Sequence, residues 1–271
     1  MRELRLAIAQ SSGALEGPEE RIGWLERKLK DLSSHKVDVL VLPELFLTGY
    51  NKGKKLLEWA EANDGPYAKR ISALCKEFNV AIQYGFPEKL GGKLYNSATC
   101  FDASGRCLNI HRKLILPPGF EGDHFEAGQG CNIFELGDFK VATLICYDAE
   151  FPETFRHIAT QGVELVLVPT ALGAQWDVVA KKLIPTRAFE NGIYVAYANQ
   201  AGQEGDMNYL GASCIIAPNG DELARAGQEE EIIVATLQGD AVQKAQERLP
   251  YLSDVKRIRI TGMSGFEPNC E

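Results

Sequence analysis

Hydrophobic and polar positions follow two rhythms along this 271-residue chain. Leu4–Gln10 alternates and then turns apolar, as a strand does. Glu19–Leu32 instead places Ile22, Leu25, Leu29 and Leu32 on one helical face. Val37–Leu42 (VDVLVL) reads as a buried strand stopped by Pro43. Ala68–Phe78 returns to helical spacing with Ile71, Leu74 and Cys75 inward, and Val80–Gly85 returns to strand. Two alternating runs, Leu94–Asp102 and Arg106–Lys113, flank Ala103-Ser104-Gly105, which reads as a hairpin turn. The Gly- and Pro-bearing stretch Leu116–Cys131 has no clear period and reads as a long surface loop.

The second half continues the alternation. Ile133–Leu136 and Lys140–Cys146 form a strand pair around Gly137-Asp138, and Glu153–Gln161 reads as a helix. Val163–Pro169 is a strand, and Val178–Asn191 a helix ending near Gly192. Ile193–Asn199 and Ala212–Ala217 are strands, and the turn Pro218-Asn219-Gly220-Asp221 leads to Ile232–Leu237. Ala241–Glu247 is a last helix. No linker, repeat or composition shift divides the chain, so one α/β domain over residues 1–271 is expected. A sheet buried on both faces, or two stacked sheets with helices outside, would fit equally well.

Composition narrows the function classes. The chain is 45% hydrophobic and carries a net charge of −8, without the basic face of a nucleic-acid binder. The N-terminus MRELRLAIAQ has charges every few residues, and no apolar run approaches the ~20 residues that span a bilayer. A cytoplasmic protein with no membrane partner is expected. Seven cysteines (Cys75, Cys100, Cys107, Cys131, Cys146, Cys214, Cys270) are odd in number and irregular in spacing, with no C-x-x-C. Neither a disulfide framework nor a metal site is expected, and most thiols should be small buried hydrophobes.

Chemistry gathers where three buried strands end. VDVLVL runs into Pro43-Glu44, KVATLI into Cys146-Tyr147-Asp148, and VELVLV into Pro169-Thr170. Functional groups collect beyond the carboxyl ends of parallel strands. Neighbouring strands would set Glu44, Cys146 and Thr170 on one rim, a set suited to acyl transfer. Taken singly, each is ordinary: a lone strand-end cysteine is usually inert, and Lys113 in His111-Arg112-Lys113 would be a solvated cation. A Cys–His pair using His111, His124 or His157 remains open on residue types. No phosphate-binding loop, dinucleotide fingerprint or G-x-S-x-G elbow occurs.

Together, Pro43-Glu44, Arg112-Lys113 and Ile145-Cys146-Tyr147-Asp148 with Phe151-Pro152-Glu153 resemble the nitrilase superfamily of carbon–nitrogen hydrolases. Leu47-Thr48-Gly49-Tyr50, Tyr95-Asn96-Ser97 and Arg187-Ala188-Phe189-Glu190-Asn191 support it. The resemblance runs from Ile8 to about Leu237. It implies a four-layer αββα sandwich, no cofactor, and subunits that pair through helices as a homodimer or larger assembly, with the tail from about 238 taking part. It also implies a triad of Cys146 as nucleophile, Glu44 as general base and Lys113. An accessory glutamate is implied eight residues past the lysine, at Glu121, with Glu126 as its rival.

The motif Cys-Tyr-Asp-x-Glu-Phe-Pro-Glu is similar to that of the amidase branch containing 5-aminopentanamidase, as are Phe46–Asn51 and Pro250–Asp254. Omega-amidases usually carry arginine where this chain has Glu150, and a carboxylate there would suit an ammonium-bearing substrate. The expected reaction is hydrolysis of a small aliphatic amide, such as an ω-amino amide, to acid and ammonia through a thioester. Substrate contacts are expected from Tyr147, Glu150 and Thr170, while Asp148, Tyr95 and Trp176 could line or support the pocket. An N-carbamoyl amine or a nitrile would use the same triad, and an inactive scaffold subunit is the reading of another class.

Overall fold

The computed structural model describes residues 2–258. Its first half contains strands β1 (Glu3–Gln10), β2 (Val39–Val41), β3 (Ala81–Leu90), β4 (Lys93–Phe101) and β5 (Cys107–Arg112). The second half contains β6 (Ile133–Leu136), β7 (Phe139–Thr143), β8 (Leu165–Pro169), β9 (Tyr194–Ala198), β10 (Ala201–Glu204), β11 (Met207–Leu210), β12 (Cys214–Ile216), β13 (Glu222–Arg225) and β14 (Glu231–Gln238). Helices are α1 (Gly17–Leu32), α2 (Lys54–Glu58), α3 (Pro66–Phe78), α4 (Phe120–His124), α5 (Pro152–Thr160), α6 (Ile184–Asn191), α7 (Ala241–Arg248) and α8 (Tyr251–Asp254). Two six-stranded sheets result, ordered β14-β1-β2-β3-β4-β5 and β13-β12-β9-β8-β7-β6, with β10-β11 as a separate hairpin.

The period-2 geometry of strands explains the layering. Leu6, Ile8, Val39 and Val41 pack against Phe139, Val141, Leu165 and Leu167 of the other sheet. Their alternates Ala7, Ala9, Leu40 and Leu42 face outward, onto Ile22, Leu25 and Leu29 of α1 and Ile71, Leu74 and Cys75 of α3. On the second sheet, Ala142, Val166, Val168 and Val195 cover Phe155 and Ile158 of α5 and Ile184 and Ala188 of α6. The order is therefore helix, sheet, sheet, helix: the four-layer αββα sandwich. Runs such as VDVLVL are apolar throughout because both of their faces are buried.

Glu44, Cys146 and Thr170 do not follow three neighbouring strands. β7 and β8 are parallel neighbours, but β2 belongs to the facing sheet. The tips still meet, because the Glu44 amide donates to Thr170 O across the sheets at 3.3 Å. The strand expected to reach Cys146 ends at Thr143, and Cys146–Glu150 forms a 3₁₀ turn. The expected loop Leu116–Cys131 contains α4. The helix expected over Val178–Asn191 opens with a π-helical turn, Val179–Leu183, ahead of α6. The β10-β11 hairpin was not expected; its strand Ala201–Glu204 carries Gly202, Gln203 and Glu204 and no apolar period.

Cys75, Cys100 and Cys214 are buried, Cys131 and Cys146 partly so, and Cys107 is exposed; Cys270 lies outside the described residues. Among the described residues no helix is long and apolar enough to cross a membrane.

Gly85 of β3 sets the loop that carries Glu44. Its amide donates to Pro43 O at 3.2 Å and its carbonyl accepts from Leu47 N at 3.0 Å. A Cβ there would collide with Leu45 N and lie 2.8 Å from Pro43 O. These are backbone atoms, so relief requires moving the loop. Gly85→Ala is expected to destabilise the protein by about 2–3 kcal/mol in chemical denaturation, the upper range for overpacking. Wild-type stability in that variant would contradict the close approach.

Candidate active site

The site is assembled from four chain segments around one ammonium group. Lys113 follows β5 and is 1% exposed, yet carries a charge. Such a group requires partners. Its Nζ donates to Glu44 Oε1 at 2.7 Å and to both Glu121 oxygens at 2.7 and 2.8 Å. Asn96 of β4 joins the same carboxylates, its Nδ2 donating to Glu44 Oε1 at 2.7 Å and to Glu121 Oε2 at 2.9 Å. The Tyr50 hydroxyl donates to Glu121 Oε1 at 2.6 Å. Glu121 sits on α4, the turn within the expected loop, and is buried. Glu126 is exposed and pairs with Lys93 at 3.4 Å.

Cys146 opens the turn after β7 with φ +45°, in the left-handed region. For a residue with a Cβ that conformation costs about 1–2 kcal/mol, and it persists only where neighbours hold it. Asp148 supplies the hold. Its Oδ2 accepts the Ile145 amide at 3.0 Å and faces His111 Nε2 at 3.0 Å. Its Oδ1 accepts the amides of Leu114 and Ile115, both at 3.0 Å. One buried carboxylate thus ties the cysteine turn to the strand end bearing Lys113. His111 is spent on this bracket, while His124 Nδ1 donates to Phe120 O on its own helix α4 at 2.9 Å and His157 lies on α5.

Electrostatics follow from burial and from counting charges. Burial pushes the Glu44 carboxyl up to about 6, Lys113 opposing and Glu121 assisting the rise. Burial alone would pull Lys113 down, but Glu44 and Glu121 together hold it above the ordinary lysine range. Burial and the Glu44 charge raise the Cys146 thiol, against Lys113 and hydrogen bonding with Thr170 and the Ala171 backbone. Two carboxylates already outnumber the single ammonium, so a free thiolate would be a third negative charge. Burial and the same carboxylates raise Tyr50, which stays a neutral donor.

The expected substrate-contacting residues fall differently. Tyr147 is partly exposed and meets Phe151 edge to face, with centroids 5.1 Å apart. Thr170 is buried, with Oγ1 donating to the Tyr197 hydroxyl at 3.2 Å. The Glu150 carbonyl accepts from Arg187 Nη2 at 2.6 Å, while its partly buried carboxylate is raised by burial against the pull of Lys113 and Arg187. Tyr95 stacks under Arg112, 5.0 Å from the ring centroid, and Trp176 is exposed. Asn96, Tyr50 and the bracketing role of Asp148 were not anticipated from the sequence. All three lie within stretches singled out in the sequence, and Asn96 carries the further signal of an amide on the apolar side of a strand. Among the described residues, no group of three or more His, Cys, Asp or Glu side chains could hold a metal.

Comparison with known proteins points the same way. The family profile "Carbon-nitrogen hydrolase" matches residues 5–247. A Pseudomonas protegens protein called "Hydrolase in pqqF 5'region" is 44% identical over 220 residues, covering 80% of this chain and 77% of that protein. The crystal structure of an amidase from Nesterenkonia sp. superposes with a TM-score of 0.81 at 30% identity, covering 91% of this chain and 95% of that one. A mutant of the Nesterenkonia sp. AN1 amidase shows covalent addition of the acetamide moiety of fluoroacetamide at its active site cysteine. It matches with a TM-score of 0.82 at 28% identity, covering 94% and 95% of the two chains.

The elevated Glu44 carboxyl can be read directly. Carboxyl-carbon NMR of glutamate-labelled protein, with Glu44→Gln to assign the resonance, is expected to show titration near pH 6. A midpoint near the ordinary ~4.3 would contradict the dominance of burial.

Proposed function

Because this chain belongs to the carbon–nitrogen hydrolase family, we propose that it is a cysteine-dependent amidase working through a thioester on Cys146. At the coarser level the assignment is direct: the protein is a hydrolase of carbon–nitrogen bonds other than peptide bonds, acting on amides. The observation that carries the finer reading is the Lys113 ammonium bridging Glu44 and Glu121, with Cys146 in the field of both Glu44 and Lys113.

At neutral pH the resting site holds ionised Glu44, charged Lys113 and a neutral thiol. Cys146 attacks the amide carbon while its proton passes to Glu44, so no free thiolate accumulates. A carboxyl near pKa 6 is a better acceptor than an ordinary glutamate and can still return the proton. Lys113 and the Tyr147 backbone N–H stabilise the oxyanion; one such donor is typically worth about 10²–10³ in rate. As the intermediate collapses, Glu44 gives its proton to the nitrogen, the C–N bond breaks and ammonia departs. Glu44 then takes a proton from water, which attacks the thioester. Collapse breaks the C–S bond and returns thiol and carboxylic acid. Glu121 and Asn96 keep Lys113 and Glu44 in register throughout.

Charge favours an ammonium-bearing substrate. The buried cluster carries one net negative charge, and Glu150 adds a third carboxylate in the field of Lys113. An ω-amino amide such as 5-aminopentanamide fits this better than an acid amide. The same reading takes the protein to be one cytoplasmic domain that associates as a homodimer or larger homo-oligomer. Exposed Phe189, Tyr251 and Val255 beside α6 and α8 support that association.

Ammonia release from purified enzyme, across short amides, N-carbamoyl amines and nitriles, tests this. Cys146→Ala is expected to abolish release. Glu150→Gln should raise KM for 5-aminopentanamide about 5–10-fold, the worth of an ion pair of about 1 kcal/mol, with butyramide nearly unaffected. Retained turnover in Cys146→Ala would sink the mechanism, and preference for 2-oxoglutaramate would sink the charge argument.

A further inference from the structure

A second buried ionic cluster lies behind the site, on the loop that delivers Tyr50. Its centre is Glu204, at the end of β10, whose side chain is fully enclosed. Glu204 Oε2 accepts three hydrogen bonds: the Tyr50 amide at 3.1 Å, the Asn51 amide at 2.8 Å and the Tyr209 hydroxyl. Oε1 lies 3.6 Å from Arg21 Nη2 and 3.4 Å from Lys52 Nζ. Arg21 is itself buried and also donates to Phe46 O, in the connection after β2, and to Leu15 O, in the connection before α1. Gly49 has φ +84°, and a Cβ on it would collide with the Glu204 carboxylate and lie 2.9 Å from Arg21 Nη2. Glycine therefore lets the chain pass close enough for the next two amides to reach the carboxylate.

We propose that Glu204 is a positioning residue for the reaction, fixing Tyr50 so that its hydroxyl holds Glu121 against Lys113. The inference rests on the amidase reading above. A buried carboxylate is costly unless paired, and the partners of this one include the Tyr50 amide beside Arg21, Lys52, Tyr209 and the Asn51 amide. The chain of contacts is short: Glu204 to the Tyr50 amide, Tyr50 Oη to Glu121 Oε1, Glu121 to Lys113 Nζ. Without the Tyr50 hydroxyl, one Glu121 oxygen loses its second donor and can rotate, taking Lys113 from the oxyanion position. The effect belongs to a transition-state interaction and therefore to kcat rather than KM.

A double-mutant cycle on the full-length enzyme tests this, with 5-aminopentanamide as probe, or butyramide if the amino amide is not turned over. Tyr50→Phe and Glu204→Gln are each expected to lower kcat about tenfold with KM within about twofold. Because both act through one contact, the double variant should fall no more than about twofold below the worse single one. If Glu204→Gln does not fold, Tyr209→Phe replaces it. That variant should lose about threefold in kcat, a loss that vanishes when Tyr50 is already Phe. Additive losses, a wild-type kcat in Tyr50→Phe, or a Glu204→Gln that lowers only the melting temperature would overturn the proposal. Cys146→Ala separates the two levels: its retained turnover would remove the amidase reading, whereas its inactivity alongside additive losses would remove only the role of Glu204.

Discussion

The structure turns on one interaction, the Lys113 ammonium held between Glu44 and Glu121 in a site closed to bulk water. Deleting one partner of a buried pair typically costs about 3–5 kcal/mol, because the remaining charge keeps its desolvation penalty. Here three charges and two neutral donors, Asn96 and Tyr50, share the load. The excess of one carboxylate is chemically useful. It adds to the burial that raises Glu44 and, through the Glu44 charge, to the burial that raises the Cys146 thiol.

The fold serves that interaction by bringing two sheets face to face. Glu44 comes from the tip of β2, Lys113 from the end of β5, Cys146 from the turn after β7 and Thr170 from the tip of β8. Cross-sheet bonds fix their relation: Glu44 N to Thr170 O, Gln200 Nε2 to Glu44 O at 3.1 Å, and the Asp148 carboxylate to the amides following Lys113. The strained backbone at Cys146 and the close approach at Gly85 are tolerated because these bonds over-determine both loops.

Much of this was legible in the residues, for reasons that differ by element. VDVLVL and VELVLV stand out because strands buried on both faces are apolar without interruption. Helices α1 and α3 stand out because each covers a sheet with one face. Helix α4 was hidden: its five residues after Gly119 show no period, and Glu121 on it is held by Lys113, eight residues earlier and outside the helix. Burial separates Glu121 from its rival Glu126, which is exposed and pairs with Lys93. The meeting of Glu44 with Thr170 was foreseen but placed on one sheet, because periodicity reports which faces are buried and not which sheet a strand joins. The Asp148 bracket draws on a histidine and two amides more than thirty residues away, beyond any local pattern.

On the proposed mechanism this cluster makes Cys146 the covalent centre. Acid-quenching the enzyme during turnover of a small amide, followed by intact-mass and peptide mapping, tests it most directly. One acyl group is expected on the peptide containing Cys146, released by hydroxylamine as a thioester is, and none in Cys146→Ser quenched the same way within one wild-type turnover time. Turnover with no adduct on any cysteine while single-turnover chemistry is demonstrably complete, or an adduct on another of the seven thiols, would contradict it.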